Sequence, residues 1–85
     1  MTTPLRIVFV TVPDREAATT IARRLVEERL AACVNIVPEI QSIFRWNGTV
    51  TEEAEVLLKI KTLDDRTSEL EARIVELHPY TTPEV

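Results

Sequence analysis

The stretch "IFRWNGTVTEEAEVLLKIKT", residues 43–62, decides the fold. Its pivot is Asn47-Gly48, and Gly48 is the only glycine in the chain. A tight two-residue hairpin needs positive φ at both central positions, and Asn-Gly accepts that with little strain. After the turn, Ala54, Val56, Leu58 and Ile60 fall on one face, and Glu53, Glu55, Lys59 and Lys61 on the other. That alternation has the period of a half-buried strand. Before the turn, "AACVNIVPEIQSIFRW" (31–46) reads as the partner strand, interrupted at Pro38-Glu39. Proline cannot donate to a ladder, so this position predicts a bulge or an edge.

Nearer the N-terminus, "LRIVFVTV" (5–12) is apolar on both alternating faces: Leu5, Ile7 and Phe9 on one, Val8, Val10 and Val12 on the other. This predicts a central strand buried on both sides. Pro13-Asp14 ends it, and Asp14 is a good N-cap for a helix starting at Arg15. In "DREAATTIARRLVEERL" (14–30), Ala18, Ile21, Ala22, Leu25, Val26 and Leu30 recur at helical spacing, with Arg15, Glu16, Arg23, Arg24, Glu27 and Glu28 opposite. The result is an amphipathic helix. A second helix starts at Thr62 or Asp64, lines up Leu70, Ile74 and Leu77, and stops before Pro79. Glu69 precedes Arg73 by four residues, the favourable orientation for a helical ion pair.

The order β-α-β-β-α, with "TTPEV" (81–85) as the entry to a last strand, predicts an α+β fold. It is the ferredoxin-like split βαβ, an antiparallel sheet with helices on one face. Two helices cover one sheet face only, yet the first strand is apolar on both. The second is nearly so, with Cys33 and Val37 opposite Ala32, Val34 and Ile36. The uncovered face predicts a homo-oligomer. A chain ending at Val85 leaves most of the final strand absent and a central strand unpaired on one side.

The totals limit the function. Eighty-five residues make one domain, spanning 1–85. A chain this short buries roughly 60–65% of its unfolded surface, so its core is marginal alone. One cysteine allows no internal disulfide, and no metal-finger spacing occurs. The net charge of −4, without a basic tract, argues against nucleic acid and anionic membranes. No apolar run reaches the ~20 residues of a membrane span. "MTTPLRIVFVTVPD" lacks a basic n-region and reads as a first strand, not a secretion signal. With a free cysteine, the expected compartment is the cytosol.

Three strings taken together are highly specific: "VTVPDREAATTIARRLVEERLAACVNIVP" (10–38), "RWNGTVTEEAEVLLKIKT" (45–62) and "HPYTTPEV" (78–85). In this order and spacing the chain resembles the CutA family of divalent-cation tolerance proteins. The resemblance implies a ferredoxin-like fold assembled as a homotrimer, akin to PII-type signalling proteins. It further implies a cytoplasmic protein that responds to copper and other divalent metal ions, and no enzyme. Family members often carry an acidic residue after "HPY", where this chain has Thr81. They also continue through a last strand and a C-terminal helix, both largely absent here.

Each candidate residue has a functional and a bland reading. Cys33 offers a soft thiolate for copper, or it is a small buried hydrophobe. The resemblance puts it in a cleft between subunits. No base lies near it in sequence, which argues against a nucleophile. His78 either ligates metal or caps a helix C-terminus as a favourable cation. One Cys and one His cannot fill a tetrahedral site. A trimer presents each three times, and Glu84 or water could complete the set. The metal candidates are therefore Cys33, His78 and Glu84.

Around them, Asn35, Trp46, Lys61 and Tyr80 are candidates for a ligand cleft or an interface. Asn35 either bonds between chains or lines the cleft. Trp46 packs at an interface or across the turn, or walls a pocket. Lys61, with Lys59, pairs with carboxylates or captures an anionic metabolite. Tyr80 packs its ring and bonds its hydroxyl. The acidic run 51–55 attracts cations loosely or is a solvated surface. Copper or another divalent cation is the implied ligand, and folding requires none. Three readings result: a trimeric, weakly metal-binding or signalling module, a PII-like trimer holding a small anionic metabolite, and a structural trimeric scaffold.

Overall fold

The computed structural model describes residues 4–79 and residue 85. The elements come in the predicted order: strand β1 (Leu5–Val12), helix α1 (Arg15–Glu27), strand β2 (Cys33–Trp46), strand β3 (Thr49–Leu63) and helix α2 (Thr67–Leu77). A single 3₁₀ turn, Asp64–Arg66, leads into α2. Residues 80–84, most of the predicted entry to a last strand, lie outside the described residues.

The sheet is antiparallel in the order β1-β3-β2. Among the described residues β3 is therefore the central strand and β1 pairs with it alone, and Leu5, Ile7 and Phe9 of β1 are exposed, a correction to the expectation of a central β1 buried on both sides. Register runs from Leu5 opposite Leu63 to Val12 opposite Val56. On the other side it runs from Cys33 opposite Lys61 to Val37 opposite Leu57, shifts, and resumes at Ile40 opposite Glu55. The shift falls on Pro38-Glu39, where the missing N–H leaves the ladder open. Trp46 faces Thr49 across the turn, and Asn47 and Gly48 take φ of 51° and 77°. Both values suit a type I′ hairpin.

α1 begins as its cap predicts: the Ala17 amide donates to the Asp14 carboxylate at 2.8 Å. It ends without glycine. Arg29 adopts φ 60°. The Leu30 amide donates to the Leu25 carbonyl at 2.9 Å, and the Arg29 amide to the Val26 carbonyl at 3.1 Å. That pair of bonds is a Schellman closure, which also turns Leu30 back onto Leu25. Val26 departs from expectation, pointing outward at 43% exposure. The buried stripe is narrower, made of Ala18, Ile21, Ala22 and Leu25.

Both helices pack on one face of the sheet. Val10 and Val12 of β1, Val56, Leu58 and Ile60 of β3, Ile21 and Leu25 of α1, and Leu70 and Ile74 of α2 form one cluster. Thr62 is buried there, its hydroxyl donating to the Leu30 carbonyl at 2.6 Å. Ala54 lies on the same face as Val56 and Leu58 but is exposed. The reason is length. Thirteen helical residues span about 20 Å, whereas the 15 residues of β3 span about 50 Å. The far half of the β2–β3 hairpin therefore projects as an arm, giving extents of 47 × 23 × 20 Å.

Candidate functional site

The site is set by register. Residues directly opposite in an antiparallel sheet share a face, with neighbouring strands roughly 4.8 Å apart. On the face turned away from the helices, one row reads Ile7, Lys61, Cys33. The next reads Phe9, Lys59, Asn35, and the third Thr11, Leu57, Val37. Leu5 and Leu63 close one end. Three sequence candidates, Cys33, Asn35 and Lys61, are thus brought onto one surface.

That surface is open. Leu5 is 75% exposed, Ile7 53% and Phe9 52%. Cys33 is a free, half-buried thiol. Asn35 and Lys61 are exposed and Lys59 is half-buried. Among the described residues the ion pairs join Arg6 to Asp64, Arg24 to Glu28, and Arg73 to Glu28 and Glu76. None uses a lysine, so the carboxylate pairing expected for Lys59 and Lys61 does not form within the described part of one chain. Glu53 and Glu55 share the lysines' strand face but lie further along β3. Glu55, expected in solvent, is buried opposite Ile40 beside the bulge.

The remaining candidates sit elsewhere. Trp46 is at the tip of the arm, nine residues beyond Val37 on β2 and 65% exposed. Against expectation, the turn alone does not cover its ring. His78 caps α2, and its amide donates to the Ile74 carbonyl at 2.8 Å. Its buried ring places Nε2 2.7 Å from the Thr11 carbonyl oxygen. Thr11 is four residues from Ile7, the β1 residue in the row of Cys33, an offset of about 13 Å along the strand. One chain therefore does not bring Cys33 and His78 together. Tyr80 and Glu84 lie outside the described residues.

Among the described residues no three His, Cys, Asp or Glu side chains stand close enough to hold a metal ion. Within one chain, the register neighbours of Cys33 supply an ammonium and an aliphatic side chain, not a second soft donor. The ammonium groups of Lys61 and Lys59 make this part of the face positive, which favours anionic ligands over cations. A soft cation held at Cys33 needs ligands beyond the described residues of one chain. The acidic run ends instead in a shallow hollow on the arm, lined by Glu39, Gln41, Glu52 and Glu53. There the Gln41 side-chain amide donates to Glu52 at 3.2 Å.

The sequence misses one further cluster, where α1 meets α2. Arg73 donates from Nε and Nη2 to both oxygens of Glu28, each at 2.9 Å, and from Nη1 to Glu76 at 3.0 Å. These bonds hold the Glu28 carboxyl below its ordinary value and raise the Arg73 guanidinium above its own. The expected partner, Glu69, is not used. Sequence spacing detects pairs along one helix and gives no signal for a pair between two.

Comparison with known proteins extends these observations. The profile of a family described as CutA1 divalent ion tolerance protein matches residues 6–85. The chain is 56% identical over 79 residues to the divalent-cation tolerance protein CutA of Thermus thermophilus, covering 93% of this chain and 77% of that one. It is 46% identical over 84 residues to the chloroplastic protein CutA of Arabidopsis thaliana. That match covers 99% of this chain but only 46% of the plant protein. The crystal structure of CutA1 from Oryza sativa superposes with a TM-score of 0.95 at 44% identity, over 98% of this chain and 76% of that one.

Proposed function

The chain belongs to the CutA1 divalent ion tolerance family, and from that premise we propose that it works as a homotrimeric, cytoplasmic binding or signalling module, not an enzyme. In this reading the unit is a PII-like ferredoxin fold, and copies of the chain cover one another's open sheet faces. Copper or another divalent cation binds weakly where subunits meet. One observation carries the proposal. The sheet face opposite the helices leaves Leu5, Ile7 and Phe9 exposed, and it holds Cys33, Asn35 and Lys61 on adjacent strands. Assembly would bring further donors to each thiol: Glu84 of a neighbouring copy is one candidate, and His78 is another only through Nδ1, since its buried ring holds Nε2 at the Thr11 carbonyl.

Calorimetry on the assembled protein tests the metal. Copper under reducing conditions is expected to bind with micromolar affinity, and Cys33→Ser to abolish the heat. Undiminished copper binding by Cys33→Ser would overturn the assignment of the thiol. A second reading, a small anionic metabolite held in the same clefts, is favoured by Lys59 and Lys61, which face no carboxylate across the sheet. Heat with nucleotides or organic anions, reduced at least tenfold in affinity by Lys61→Ala, supports that reading. A loss of this size corresponds to about 1.4 kcal/mol. Silence toward metals and anions alike would leave a structural trimeric scaffold.

A further inference from the structure

We draw no further inference here: the strongest candidate, the open sheet face on which Leu5, Ile7 and Phe9 flank Lys59 and Lys61, belongs to the site already described, and nothing in the structure shows what covers it.

Discussion

Arg29 occupies a position that helices usually give to glycine. At φ 60° it pays for the Schellman closure with backbone strain. The left-handed region costs an L-residue roughly 1–2 kcal/mol, which glycine avoids while losing somewhat more entropy on folding. Arg29→Gly is therefore expected to stabilise the protein by up to about 1 kcal/mol. The check is the denaturation midpoint measured at one fixed protein concentration. A lowered midpoint would mean that the arginine side chain contributes more than its backbone costs. This residue also marks a limit of legibility. Asn47-Gly48 announces its turn because its residue types match the geometry, whereas Arg29 hides a turn of similar sharpness behind an ordinary helix former. Its conformation is imposed by Leu30 and Ala31, which are buried when the chain folds back under α1.

At the scale of elements, α1 and α2 are joined at the surface by the Glu28–Arg73 pair above their shared core. Folding favours the ionised form of Glu28, since its carboxyl is held below its ordinary 4.5, chiefly by hydrogen bonds from Arg73. A carboxyl with a lowered folded value stabilises fully above its unfolded value, and the contribution fades as pH falls through the folded one. Glu28→Gln should thus lower the denaturation midpoint near neutral pH. The gap to the parent protein should close below pH 4.5. A gap independent of pH would assign the effect to packing instead. Element order, the Asp14 cap, the hairpin turn and the Pro38 bulge are all legible in the sequence, because each depends on local periodicity or on one residue's backbone chemistry. Strand position is not. An apolar β1 looks the same whether another strand or another molecule lies beside it, so its sequence reads as buried while Leu5, Ile7 and Phe9 are exposed. The Glu28–Arg73 pair is illegible for the same reason, since 45 residues separate its partners.

The whole molecule is an elongated body with an apolar face and a projecting arm, and its candidate site is only partly legible in the sequence. Strand parity puts Cys33 and Asn35 on one side, and register adds Lys61 across from Cys33. Parity cannot show that Trp46 stands at the tip of the arm, where long strands outrun short helices, or that the His78 ring is buried against the Thr11 carbonyl, because both depend on how the elements pack. The proposal that copies cover the open face makes a test at Phe9. Its ring is 52% exposed in the single chain, so Phe9→Glu would cost the isolated fold little. If assembly buries that face, each copy takes out of water a carboxylate together with the Lys59 ammonium opposite it, and the desolvation of such a pair can exceed its mutual attraction. Light scattering should then find a trimer for the parent protein and one third of that mass for Phe9→Glu, with the circular dichroism of the sheet retained. Val75→Glu, on the outer side of α2 at 56% exposure, alters hydrophobicity and charge in the same direction and should leave the trimer intact. A parent protein that is monomeric at micromolar concentration, or a Phe9→Glu variant that stays trimeric, would remove the open face from the assembly. The cleft reading of Cys33 and Lys61 would then fall with it, since both residues sit in the rows that Phe9 adjoins.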